Sequence, residues 1–469
     1  MGSVNLQLWS KDECAAALDA VLEILETVGV EVRHGPALEV FAAAGAEVDA
    51  SRVRISRECV QRALELVPKT WTVPGRGTSR TLELSATAGP YYGTGSDLVF
   101  VIDAETGQRR RAMLSDVESF ARLSDQLPHL DFVMSMALPS DVPTEVDDVA
   151  QCAAMLAGTQ KPLMLAPKDG ASVRVMHEMV GLCGVRESLL IYAMPSPPLT
   201  HDAHGLTKLM ACAELEIPIV YAPAPSGGAT SPLSIAGGVV VGIAEVLSGL
   251  VLHQQIRPGA PFVFGCGYAH LDFQTGNNCY VTPESFLGLQ ACSDVARHLR
   301  LPSFSYAGVS ESKGIDMQLA AEAALTAVLG GLSRATLLHD AGYLETGLCG
   351  SEESIVLADE LVGFVKAYMK EVAVSELDLA LTEVREVGPG GSFLARSYTR
   401  RRCRDMWRTD LFDHLNHQRW LDAGASSMDV RLKQKAAAMR SASPAFELPA
   451  SVRGDLDRLV SDALAARLA

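Results

Sequence analysis

The chain has 469 residues, 48% of them apolar and 20% charged, an ordinary globular composition that excludes general disorder. Its net charge of −16 is spread along the chain, so it lacks the basic footprint that nucleic acid requires. Its ten scattered cysteines, without CxxC or CxC pairs, point to reduced thiols in the cytoplasm and remove the usual cysteine-rich zinc site.

At the start, Asp12 and Glu13 stand where a signal peptide would need an apolar core. Helical periodicity runs over roughly residues 10–29, with Leu18, Val21, Leu22 and Leu25 on one face. Further helices read at "PALEVFAAAG" and at "SRECVQRALELV", where Ser56 can cap. The runs "RTLELS" and "SDLVFVIDAETGQRRRAM" are strand-like, the second broken by a polar turn. Residues 1–130 thus read as an N-terminal helical cap with a small β element.

From about residue 131 a rhythm begins. Seven short apolar runs ("DFVMSMALPS", "PLMLAPKDG", "LLIYAMPSPPLT", "PIVYAPAPSGG", "PFVFGCGYAHLD", "PSFSYAGVSES" and "ATLLHDAGYLETG") each precede a helical stretch. Continuous apolarity fits strands buried on both faces of a parallel sheet. The expected fold is α/β, a (β/α)8 TIM barrel over 131–400, with the eighth strand supplied by "LTEVREVGPGG". A doubly wound open sheet competes, but no GxGxxG-like turn follows the first of these strands. The apolar run between Ser234 and His253 reads as a barrel helix rather than a membrane span, because Glu245 interrupts it. Residues 401–469 read as a helical tail, and the basic run Arg396, Arg400, Arg401, Arg402 and Arg404 as a solvated helix face or a set of salt bridges.

Catalytic groups of a βα barrel sit on the loops after the strands. Those positions hold Lys168 and Asp169; Pro195, Ser196, Pro197, Pro198 and His201; Ser226, Gly227 and Gly228; Tyr268, His270, Asp272 and Gln274; Tyr306, Ser310, Glu311, Lys313 and Asp316; and His339, Asp340, Tyr343 and Glu345. Each has a plain alternative: strand termination for the prolines, a tight turn for Ser226–Gly228, a hydrogen-bonded structural role for His270 or His339, and a salt bridge for Lys313 with Glu311 or Asp316. No GxSxG, HExxH or Walker A pattern is present. His270 and Asp272 alternate on one strand and could share a metal, which keeps a metal-assisted lyase or hydrolase open.

At these strand ends the chain resembles the trimethylamine methyltransferase family. The matching stretches are "LETVGVEV", "PIVYAPAPSGGATSPLSIAGG", "HLDFQTGNN", "YAGVSESKGIDMQLAAEAALTA", "GYLETGLCGSEESIVLADELV" and "EVGPGGSFLARSYTRRRCRDMW", in family order. The resemblance implies a TIM barrel with terminal additions, association into oligomers, and methyl transfer from an amine to a corrinoid (cobalamin-type) carried by a partner protein. No tightly bound metal and no membrane partner are expected. The sequence shows only the twenty common residues, so it resembles the branch without pyrrolysine, whose substrates are quaternary amines such as glycine betaine. The loop Ser310 to Asp316 is the candidate for the pyrrolysine position, with Lys313 resident there.

A quaternary ammonium leaves as a neutral tertiary amine and needs no proton, so alignment suffices. The expected catalytic set is Glu311, Lys313, His339, Asp340 and Glu345. Tyr92, Tyr268, His270, Tyr306 and Tyr343 are expected to hold the substrate through aromatic faces and hydrogen bonds. Ser226, Gly227, Gly228, Asp272, Thr275 and Gly276 are expected to face the corrinoid. A barrel that binds the amine or corrinoid without turnover is the non-catalytic alternative.

Overall fold

The computed structural model describes residues 6–77 and 80–469. Ser10 caps the helix Lys11–Thr27 in a reciprocal pair with Glu13, and Ser56 caps Arg57–Leu66. With Gly35–Ala43 between them, these helices pack against one side of the barrel.

The barrel strands are β1 (Tyr91–Thr94), β2 (residues 132–133), β3 (Leu163–Leu165), β4 (Leu189–Ala193), β5 (Ile219–Tyr221), β6 (Phe262–Gly265), β7 (Ser303–Tyr306) and β8 (Leu337–Ala341). Seven of them form one parallel sheet that ends on β1 and β3. Parallel bridges from Gly93 to Phe132 and from Val133 to Leu163 insert β2 between those two ends and close the ring. The helices that follow the strands are α1 (Leu114–Gln126), α2 (Asp147–Gly158), α3 (Gly170–Leu182), α4 (Ala203–Leu215), α5 (Ile235–Ile256), α6 (Pro283–His298), α7 (Met317–Ser333) and α8 (Glu352–Tyr368). The fold is therefore the expected (β/α)8 barrel.

The eighth strand is not where the sequence put it. "LTEVREV" is the exposed helix Leu381–Val387, and its apolar Leu381, Val384 and Val387 recur every third residue, a helical spacing. The missing strand is β1, four residues long, so the barrel begins at Tyr91 rather than near residue 131.

Phe132, Met164, Leu190, Val220, Val263, Phe304 and Leu337 fill the interior. The hairpin Thr70–Pro74 with Thr81–Ser85 plugs the lower end through Val73, Leu82 and Leu84. Ser188 and Thr336, just ahead of β4 and β8, donate to its Pro74 and Ser85 carbonyls. The C-terminal end of the barrel is free of this plug.

Helix α5 is long and apolar enough to cross a bilayer, but most of it is buried within the fold. Helices Met428–Ser441 and Ala450–Leu468 pack on α1, α2, α3 and α8. In the basic run, Arg396 pairs with Glu383 and Glu386, and Arg402 with Asp378.

Glu245 on α5 is fully buried; one oxygen accepts the Leu199 N–H and the other has no partner. Burial pushes its carboxyl up to about 8, against an ordinary value of 4.5. The folded state thus keeps a proton that the unfolded chain releases near 4.5. The stability from this group is complete below that value and is lost as pH rises through about 8. Between pH 5 and 8 the wild-type melting temperature should fall more steeply than that of Glu245→Gln, which is neutral throughout. Thermal melts of both proteins over that range check it.

Candidate active site at the barrel mouth

Alternation along the strands sets the mouth. Tyr192 lies two residues above Leu190 and His339 two above Leu337, so both continue the inward face over the core. Their rings meet Phe304: Phe304 stacks on His339 at 4.2 Å, Tyr192 stands 5.3 Å from Phe304, and Tyr192 stands 5.7 Å from His339. Three rings thus floor the mouth.

On β8 the pairing register with β1 shifts between Leu338 and Ala341, a bulge that contains His339 and Asp340. Asp340 has φ +68, and on neighbouring strand ends Asp97 has φ +60 and Met136 φ +54. Non-glycine residues in this region store strain, which tends to cluster at functional sites. A Cβ added at Gly95 would fall 2.0 Å from the Tyr343 ring and 2.6 Å from Asp340 Oδ1, so only glycine fits between β1 and β8.

The loops over the floor are tied together. Tyr343 Oη accepts the Ser96 N–H at 2.6 Å and donates to the Ser96 carbonyl. The Glu311 carboxylate accepts the N–H groups of Tyr280 at 2.7 Å and Val281 at 3.2 Å, and also the Thr346 hydroxyl. Tyr306 donates to the carbonyls of Tyr268 and Tyr280, and its ring stacks on Tyr280 at 5.3 Å.

Two carboxylates flank the floor. Burial lifts the Asp97 carboxyl to about 6 despite hydrogen bonds to Ser96 and Gln151, and neighbouring Asp147 adds to the rise. Asp340 is 4% exposed and His339 is 8% exposed. Desolvation raises the Tyr192 and Tyr343 hydroxyls well above their ordinary range, and both Asp340 and Asp97 add to that rise. Both acids therefore lie close to the same two hydroxyls.

His339, Asp340, Tyr343, Tyr306 and Glu311 converge at or just above the floor, the last three as struts. Other expected residues stand elsewhere. Tyr92 faces outward from β1, fully buried, and donates to the Ala327 carbonyl of α7; one residue of alternation turned it away. The Tyr268 ring is packed against Gly238 of α5 and Gly288 of α6, outside the barrel. Glu345 is held by Arg109 at 2.9 Å, and the exposed Lys313 ammonium donates to the Glu311 carbonyl, not to a carboxylate.

Ser226, Gly227, His270 and Asp272 belong to a rim. Residues 226–227, 269–271 and 278–279 form a small sheet, with Ser226 Oγ donating to Asn278. Asp272 closes its own turn by accepting from the Gln274 amide and the Thr275 hydroxyl, and Gly276 takes φ +75 there. Gly228 lies beneath the Phe273 ring, since a Cβ there would be 2.6 Å from it. Phe273 is 64% and nearby Leu233 54% exposed, so the rim presents an apolar edge.

Comparison with known proteins places this arrangement. Residues 2–464 match the pattern of the family described as trimethylamine methyltransferase (MTTB). The chain belongs to the trimethylamine methyltransferase family. A glycine betaine methyltransferase of Desulfitobacterium hafniense (strain Y51) is 29% identical over 422 residues, 88% of each chain. The trimethylamine methyltransferase MttB of Methanosarcina barkeri (strain Fusaro / DSM 804) is 28% identical over 478 residues, 99% of this chain and 96% of that one. Among solved structures, the Methanosarcina barkeri monomethylamine methyltransferase (MtmB) superposes with a TM-score of 0.54 at 12% identity, covering 98% of this chain and 90% of that one. That likeness bears on the fold, and it is the same barrel. Within the trimethylamine methyltransferase family, this chain is thus a methyltransferase-type barrel with an aromatic floor flanked by two carboxylates.

Tyr192, Phe304 and Asp97 did not emerge from the sequence. Tyr192 and Phe304 lie within strands, where scanning only the loops after them passes over the inward face. Asp97 follows β1, the strand that was not recognised.

Proposed function

We propose that the chain transfers a methyl group from a quaternary amine, of the glycine betaine type, to the cobalt(I) of a corrinoid carried by a partner protein. The carrying observation is the floor of Tyr192, Phe304 and His339 with Asp97 and Asp340 beside it, in a chain of this family. Aromatic faces and carboxylates are what a permanent cation selects, at about 0.5–2 kcal/mol per ring. The departing amine leaves neutral, so the residues here need only hold the nitrogen and point one methyl outward. Struts such as Tyr343 and Glu311 keep the loops fixed while they do so.

The rim is the proposed docking edge for the partner, with Phe273 and Leu233 as its apolar contacts. Phe273→Asp is expected to leave amine binding unchanged while transfer to the corrinoid protein falls at least about tenfold (1.4 kcal/mol). Calorimetry and a transfer assay on the same preparation separate the two. Association with further copies of the chain is supported by Val372, Val374, Leu377 and Leu394, which are 65–86% exposed.

The function is tested by mixing the protein anaerobically with cob(I)alamin and a panel of quaternary and tertiary amines. A visible spectrum shifting to methylcobalamin with at least one quaternary amine is expected. No shift with any of them, with or without a corrinoid protein, would overturn the reading.

A further inference from the structure

We propose that Lys208 receives the carboxylate of the donor, so that the site selects a betaine over a quaternary amine that has no carboxylate. This rests on the quaternary-amine site proposed above and gives it a second contact. A betaine carries its carboxylate one methylene from the nitrogen. With the ammonium on the aromatic floor, that carboxylate lands on the adjoining wall and needs a cation there.

Helix α4 supplies one. It follows β4, so its N-terminus, capped by Asp202, lies at the mouth end of the barrel. Lys208 shares a face of α4 with Gly205, where an added Cβ would lie 3.0 Å from the Met194 carbonyl oxygen. Met194 stands two residues above Tyr192, so this face looks at the top of the strand that carries part of the floor. Helical side chains lean toward the N-terminus of their helix, which aims the lysine stem up toward the mouth. The electrostatics agree: Asp97, which acts on the Tyr192 hydroxyl, also acts on the Lys208 ammonium.

Lys208 is half-buried and, among the described residues, has neither an ion pair nor a hydrogen bond. The acids around it are held by other donors. Asp202 accepts the Gly205 N–H at 2.9 Å and the Ser196 hydroxyl at 3.0 Å. Asp148 accepts the Lys168 N–H at 2.8 Å, and Asp97 is hydrogen-bonded to Ser96 and Gln151. Other cations about the mouth are committed. Lys168 is on Asp147 at 2.8 Å, Arg467 on Asp169 at 2.7 Å, Arg109 on Glu345 at 2.9 Å, and Lys313 on the Glu311 carbonyl at 2.8 Å. Of these five, Lys208 alone is without a partner. Burial holds its ammonium below the ordinary 10.5, as desolvation does to a cation. A carboxylate seated beside it offsets that desolvation through charge-assisted hydrogen bonds. Asp340, the donor ammonium, the donor carboxylate and Lys208 then alternate in sign.

Calorimetry on the full chain with glycine betaine, choline and tetramethylammonium at pH 7.5 tests the assignment. Lys208→Met keeps the stem and removes the charge. It is expected to weaken glycine betaine at least about tenfold (1.4 kcal/mol). Tetramethylammonium should bind the variant at least as tightly as the wild type, because a like charge has gone. A purely structural lysine would move both ligands together. Equal loss for both, or no loss for glycine betaine, would overturn the assignment and leave the methyl-transfer reading standing. The wild type gives a second reading that needs no variant to fold: glycine betaine is expected to bind at least about tenfold more tightly than choline (1.4 kcal/mol). Equal or tighter binding of choline would overturn the assignment. If none of the three ligands bound, the site reading itself would fall, and the assignment with it.

Discussion

Asp340→Asn is expected to lower kcat/KM for the quaternary amine by about tenfold to a hundredfold, or ~1.4–2.8 kcal/mol, with kcat nearly unchanged. The backbone survives the change. Asp340 sits at φ +68 within a bulge, and asparagine is among the few residues that tolerate that region. Asparagine also keeps the size that fits beside Gly95 and Tyr343. What is lost is a buried negative charge.

The loss belongs in KM for a reason specific to this chemistry. Methyl transfer discharges the ammonium, so the transition state is less cationic than the bound substrate. A carboxylate beside the nitrogen therefore stabilises the ground state at least as much as the transition state. Steady-state kinetics on the variant and wild type, with a melting curve for each, separate this from unfolding. A collapse of kcat at unchanged KM would mean that Asp340 acts on the reacting atoms instead.

Tyr192→Ala is expected to weaken quaternary-amine binding at least about tenfold (1.4 kcal/mol), while Tyr192→Phe keeps most of it. The ring is the largest partly open face on the floor and touches both Phe304 and His339. Phenylalanine preserves the π face, so the pair of variants distinguishes a ring effect from a hydroxyl effect. Alanine also leaves a gap over Leu190 and should cost about 1–3 kcal/mol of stability, below the 3–5 typical of fully buried aromatics because Tyr192 is only partly buried. Binding calorimetry with tetramethylammonium, beside denaturant melts, reads the two effects separately.

The barrel was legible because seven of its strands are continuously apolar and evenly spaced. That pattern follows from burial on both faces. β1 escaped because Tyr91, Tyr92, Gly93 and Thr94 make too short a run, enclosed by Gly89, Pro90 and Gly95, and because two single bridges through β2 complete its pairing. Its proposed substitute, Leu381–Val387, has apolar residues at a helical interval and lies outside the barrel.

The candidate site divides along the same line. His339 and Asp340 could be found because they end a strand that was recognised. Tyr92 and Tyr268 were misplaced because which face a residue takes depends on register and packing: Tyr92 points at α7, and Tyr268 lies between glycines of α5 and α6 that make room for it. Glu311 and Glu345 carry the right chemistry but are engaged by backbone amides and by Arg109, partnerships that bring together residues far apart in sequence. Phe304 and Tyr192 look like core residues, and only their place at the top of the interior makes them a floor.

A crystal structure of the protein with tetramethylammonium tests most directly whether the donor is held at this mouth. The nitrogen is expected within about 6 Å of the Tyr192 ring centre, above Phe304 and His339 and beside Asp340. Density for the cation anywhere other than the C-terminal mouth, with the aromatic floor bare at saturating ligand, would contradict the account.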